Sequence, residues 1–275
     1  MSGATRECRV SALFSYPIKS ARGCAQNELH SDALGIVNDR RFMFVNEHGR
    51  FVSQREFPLL TQVIPLITDH HLDIRFHEHR WRVPLSAADR KIAPVTVWRD
   101  EVQAVDCGDE LADALSSVLQ KKLRLVMFGS HSKRLADAQY SANTPVAFSD
   151  GFPILVANQA SLQTINDALG VELQMERFRP NVVVSGLDSF LEDKIARIEF
   201  THCTLTFVKP CVRCSIPSLN PVSGQKENDP SEWLKTHRFD RSLKGATFGS
   251  NAVMTHGVGA TIHVGEKGRV VLTAD

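Results

Sequence analysis

Between Arg6 and Val105 the chain is cut at short intervals by turn-forming residues, and the stretches between are rich in β-branched and aromatic side chains. Segments of this length are too short for packed helices and have the length of strands. The stretch from Arg6 to Tyr16 roughly alternates and ends at the turn residues Pro17 to Gly23. Residues 41–46 and 51–53, joined by Glu47-His48-Gly49, read as a hairpin. Residues 60–67, 71–76, 81–85, 95–98 and 102–105 continue the pattern. Strands at this spacing predict a small barrel or sandwich.

The pattern then changes. Leu111, Leu115, Val118 and Leu119 are spaced for a helix over 109–119. Residues 123–127 read as a strand, 129–143 as a polar loop and 152–157 as a short buried strand. Leu162, Ile165 and Leu169 mark an amphipathic helix over 159–169, stopped by Gly170. Residues 181–184, 195–200, 203–208, 252–255, 261–264 and 270–272 read as strands, and 232–237 as a short helix. The predicted fold class is mainly β with several helices (α+β), a small N-terminal β-barrel or sandwich packed on a second β-rich unit. The expected boundary near residue 120 gives units 5–120 and 121–275. No flexible linker separates them, so they are expected to pack tightly.

A hydrophobic fraction of 43% supports a packed core. Thirty-two basic residues against thirty-one acidic ones leave a formal charge of +1, which gives no reason to expect a nucleic acid polymer or an anionic membrane as partner. The start, MSGATRECRV, lacks the apolar stretch of a secretory signal, and no apolar run reaches the roughly 18 residues of a membrane span. The expected location is the cytoplasm. The six cysteines, at 8, 24, 107, 203, 211 and 214, are then expected as reduced thiols.

Chemistry concentrates in Lys209-Pro210-Cys211-Val212-Arg213-Cys214. Cys214 lies beside Arg213 and past a predicted strand that Pro210 is expected to end. Nearby cations favour the thiolate, the form that binds a soft metal or attacks an electrophile. The pair Cys211 and Cys214 reads as half a zinc site, a redox pair, one ligand with a bystander, or two small buried hydrophobes. Arg177-Phe178-Arg179-Pro180-Asn181 offers guanidinium forks for phosphate or carboxylate, or plain surface arginines at a strand start. Lys19 with Ser20, and Asn38-Asp39-Arg40-Arg41, add basic residues near strand ends, and each alone also reads as solvated charge. Ser149-Asp150-Gly151 is a turn where backbone can approach a ligand. His70, His71, His77 and His79 cluster at a hairpin, as a metal site or a solvated tip.

Read in order, YPIKS, DRRF, FSDGFPIL, NQASLQTIN, RFRPNVVVSG and CVRC are similar to MOSC-domain proteins with an N-terminal MOSC β-barrel domain. Within that group the chain resembles the mitochondrial amidoxime-reducing components and the YcbX-like bacterial reductases of N-hydroxylated bases. The resemblance implies a β-barrel-type MOSC domain as the second unit and a bound molybdenum cofactor (Mo-molybdopterin). It implies Cys214 as the thiolate ligand to molybdenum, with Arg213 beside it as a catalytic residue. Cofactor contacts are implied at Lys19, Ser20, Arg41, Ser149, Asp150, Arg179 and Asn181, and along Cys211-Val212-Arg213.

The implied activity is a molybdenum-dependent oxidoreductase acting on hydroxylamines, amidoximes or N-hydroxylated bases. No cysteine follows Cys214, so no iron–sulfur ferredoxin domain of the YcbX-like kind is expected. Neither is the targeting and anchor segment of the mitochondrial proteins. Electrons are then expected from a separate partner, a flavin, iron–sulfur or haem protein. The alternative is a carrier that holds the molybdenum cofactor, or persulfide sulfur on Cys214, without turnover.

Overall fold

The computed structural model describes residues 6–86 and 90–274. Seven strands of the nine-stranded largest sheet run side by side: Ile154–Asn158, Val182–Ser185, Arg6–Ser15, Lys267–Leu272, Ile195–Glu199, Thr204–Val212 and Gly245–His256, in that order. Gly245–His256 pairs back onto Ile154–Asn158, which closes the sheet into a barrel. Inside it pack Val10, Leu13, Val156, Val184, Leu205 and Ala252, together with the thiols of Cys8 and Cys203. Burial pushes both thiols up to about 11, so these two cysteines are core residues.

A five-stranded sheet stands beside the barrel, ordered Ile92–Val97, Asp100–Asp106, Arg124–Met127, Phe42–Val45 and Ile18–Lys19. A three-stranded meander, Ile64–Ile67, His71–Phe76 and His79–Pro84, and the helix Asp109–Leu119 share a core with it. The chain is mainly β, as expected. The two sheets exchange segments across residue 120. Arg6–Ser15 lies in the barrel, and Arg124–Met127 pairs with Phe42–Val45.

Both predicted long helices form over the expected residues, 109–119 and 159–169. Gly170 ends the second in the left-handed conformation, at φ +65°. Two expectations fail for reasons of backbone chemistry. Residues 58–62 are a 3-10 turn with Pro58 in its first positions, so the strand predicted from 60 begins only at Ile64. Pro210 does not end its strand, which continues to Val212. The register shifts on both sides of Pro210, so its missing N–H falls in an irregular stretch of ladder.

The histidine hairpin does not gather a metal. His77 turns at φ +51°, His79 stacks on Trp81, and no group of three His, Cys, Asp or Glu side chains converges among the described residues. No helix among them is long and apolar enough to cross a membrane.

Candidate active site

At Tyr16-Pro17 the chain leaves the barrel strand Arg6–Ser15 and joins the small sheet as Ile18–Lys19, parallel to Phe42–Val45. A cleft of about 810 Å³, counted to its open mouth, lies where the two sheets meet. Lys19, Ser20, Arg40, Trp98, Ser149 and Asp150 line it beside the small sheet; Arg179 and residues 211–214 come from the other side. Four of its lining side chains are cations (Lys19, Arg40, Arg179, Arg213) and one is a carboxylate (Asp150).

Each cation is held differently. Lys19 is 4% exposed, donates to the Phe148 carbonyl at 2.7 Å, and pairs with Asp150. Burial pulls its ammonium down to about 8, although Asp150 opposes the shift. Burial alone would raise Asp150, but Lys19, the Trp98 indole and Arg40 outweigh it and hold the carboxyl well below its usual range. Arg40 donates to the buried Asp39 at 2.5 Å, to the Asn181 side chain at 3.1 Å and to the Arg179 carbonyl at 3.0 Å. Arg179 caps the turn Met175–Phe178 at φ +56° and donates one nitrogen to the Ala21 carbonyl at 2.8 Å. Both guanidinium groups lie over the Tyr16 ring, at 4.3 and 4.2 Å.

The cleft is short of negative charge. Burial, then the like charge of Arg40, pulls Arg179 down to about 10. Its Nη2, the Arg213 Nε and the Ser53 Oγ are buried without a hydrogen-bond partner. Orphaned buried donors beside unneutralised cations make a site for a polar anion.

The thiols differ in the same way. All six cysteines are free. Cys214 is exposed at the cleft, past the end of the strand Thr204–Val212. Arg213 turns away from it, donating to the Cys211 sulfur at 3.2 Å and to the Phe178 carbonyl at 2.9 Å.

The MOSC N-terminal beta barrel domain family matches residues 7–122, and the MOSC domain family residues 143–269. Mitochondrial amidoxime-reducing component 1 of Mus musculus is 31% identical over 252 residues, spanning 87% of this chain and 74% of that protein. This chain belongs to the MOSC-domain family. Mitochondrial amidoxime reducing component 2 of Rattus norvegicus is 32% identical over 250 residues, 86% of this MOSC chain and 74% of that protein. Among solved structures, the YUAD protein from Bacillus subtilis aligns over 98% of both chains at 12% identity, with a TM-score of 0.44.

Within this MOSC protein the cleft gathers Lys19, Ser20, Ser149, Asp150, Arg179, Asn181, Cys211, Val212, Arg213 and Cys214, but not Arg41. Arg41 forks onto Asp32 instead, 2.7 Å to each oxygen, and Arg40 takes the cleft position. The backbone is left-handed at Asn38 and Arg40, which turns adjacent arginines to different sides. Asn181 is 1% exposed, and its amide is engaged with Leu155, Arg40 and Phe14. It braces the walls.

Two residues escaped the sequence reading. Arg134, in the polar loop, is bound to Asp100 at 2.6 Å and to the carbonyls of Ala147, Ser149 and Asp150, so it shapes the 147–150 turn. Trp98 donates its indole N–H to Asp150 at 3.0 Å. Neither lies in a recognisable motif, and their partners are up to 52 residues away.

Proposed function

We propose that the cleft holds the molybdenum cofactor, and that the protein is an oxidoreductase that reduces hydroxylamines, amidoximes or N-hydroxylated bases with electrons from a separate donor. The observation that carries this reading is the exposed free thiol of Cys214 on the rim of a cleft with four cations and unpaired buried donors. The donor set fits the group: a soft sulfur for the metal, and guanidinium and ammonium groups for an anionic pterin phosphate. The printed names of the relatives, amidoxime-reducing components, support the substrate class.

When bound, the cofactor supplies a metal centre able to exchange two electrons and to take up an oxygen atom. The chain's residues prepare its place. Cys214 offers the thiolate, and Ser20 and Ser149 present polar groups beside the cations. Lys19, Arg40 and Arg179 oppose the anionic charge and, being largely dry, act through a weakened dielectric. Arg213 ties the cysteine loop to Phe178 through its carbonyl, so the thiol is carried on an anchored segment. The Lys19–Asp150 pair, braced by Trp98 and Arg134, fixes the opposite wall.

The test is protein made in a host that synthesises the cofactor. Stoichiometric molybdenum is expected, with amidoxime reduction driven by a reduced viologen and none by a nicotinamide cofactor alone. Loaded protein that stays silent with every reductant would favour the carrier of cofactor or persulfide sulfur. Protein without molybdenum or pterin would remove the reductase and the cofactor carrier, and leave only the carrier of persulfide sulfur.

A further inference from the structure

Val97 pairs directly with Asp100, so Trp98 and Arg99 make up the whole turn between the Ile92–Val97 and Asp100–Asp106 strands. Two-residue hairpin turns give their positive-φ positions to Gly, Asn or Asp. Here Trp98 takes one, at φ +58°. A bulky side chain in the left-handed region is strained, and such strain persists where something else requires the residue. Burial does not require it, because Trp98 is 46% exposed. The ring is nonetheless fixed on several sides. Its N–H donates to Asp150, it meets Phe51 edge-on at 5.3 Å between centroids, and the Arg55 guanidinium lies 5.0 Å from its centre. Asp150 already has Lys19 as a partner. The Lys19 ammonium also lies over the ring, 5.5 Å from its centre, and what remains is a part-exposed indole in the same cleft as the Cys214 thiol.

On the reading of this cleft as an N-hydroxy reductase site, we propose that Trp98 is the wall on which the substrate stacks, selecting planar, π-conjugated N-hydroxy compounds over saturated ones. A flat amidoxime conjugated to a ring can stack on the exposed part of the indole. A small saturated analogue offers little to stack and gains only part of that contact. The turn supplies a clean test. Trp98→Gly puts the preferred residue at the strained position, so the fold is expected to keep its melting temperature. Trp98→Phe keeps an aromatic face and loses only the N–H.

Loaded wild-type protein and both variants would be compared on a phenyl and a methyl amidoxime with reduced viologen. Binding of unreactive benzamide would be followed by calorimetry. In Trp98→Gly the phenyl-to-methyl ratio of kcat/KM, and the affinity for benzamide, are each expected to fall about tenfold, while Trp98→Phe stays close to wild type. An unchanged ratio and affinity in Trp98→Gly would overturn the proposal. So would equal losses in Trp98→Phe, which would assign the effect to the Asp150 hydrogen bond. If neither amidoxime is turned over, the reductase reading fails, and calorimetry alone decides whether Trp98 is an aromatic binding wall.

Discussion

Arg40 and Arg41 are neighbours of one chemical type, and only one of them faces the cleft. Which one depends on a left-handed backbone at Arg40, which no side-chain pattern announces. Arg40→Lys keeps the charge beside Asp39 but cannot bridge Asp39, Asn181 and the Arg179 carbonyl together. Molybdenum content after purification is expected to fall severalfold in Arg40→Lys and to hold in Arg41→Lys. Equal loss in both would remove the distinction drawn between them. The cysteines give a second asymmetry. Cys214→Ser replaces a soft sulfur by a hard, weakly acidic hydroxyl and is expected to abolish amidoxime reduction. Cys211→Ser still offers Arg213 an acceptor and is expected to leave substantial activity. Complete loss in both variants would point to a redox pair. Lys19, Ser149, Arg179 and Cys214 were legible through the ordered motifs that carry the family resemblance. Local physics alone left each of them open to a structural reading. Arg134 and Trp98 were not legible at all, because their roles are made entirely by long-range contacts.

Elements with strong periodicity and a clear stop were the most legible, as the helices 109–119 and 159–169 show. Those shaped by a proline were the least, since the same residue opens a 3-10 turn at Pro58 and is absorbed by an irregular ladder at Pro210. Another feature invisible in sequence is Glu192, in the short turn Leu191–Lys194. It is 1% exposed, accepts from the Ser161 hydroxyl at 2.8 Å, and leaves its Oε1 without a partner. Burial pushes its carboxyl from the usual 4.5 up to about 7, more than the Ser161 bond pulls it down. The folded protein therefore holds this proton more tightly than the unfolded chain. Its contribution is complete below pH 4.5 and is lost as pH rises toward 7, a swing on the order of 3 kcal/mol. Glu192→Gln keeps an acceptor for Ser161 and has no proton to lose. Its melting temperature is expected to overtake that of wild type between pH 5 and pH 8. Parallel curves across that range would show that Glu192 titrates normally.

At the scale of the whole molecule, the cleft is a meeting of two sheets in which four cations face one carboxylate, Asp150, and that carboxylate is already paired with Lys19. Protein without its cofactor is expected to gain stability from simple anions, as any ligand of the native state does. Millimolar pyrophosphate should raise its melting temperature, and Arg179→Gln should reduce the gain. An equal response in both proteins would place the anion elsewhere. The barrel that forms one wall joins strands from the two extremes of the sequence, since Arg9 pairs with Lys267 and Arg6 with Val270. The Lys267–Leu272 strand separates Arg6–Ser15 from Ile195–Glu199, so without it the barrel has a gap. Closure of this kind couples residues of very high sequence separation and is a late event in folding. On the ribosome, the first strand must wait for nearly all the rest of the chain. The order of assembly then follows from topology: the small sheet can collapse early, and on the proposed function the cofactor is expected to enter only after synthesis has passed residue 272. Chains stalled before residue 267 are expected to be cut readily by protease within residues 6–15 and to capture no molybdenum. Released full-length chains should resist the protease and load.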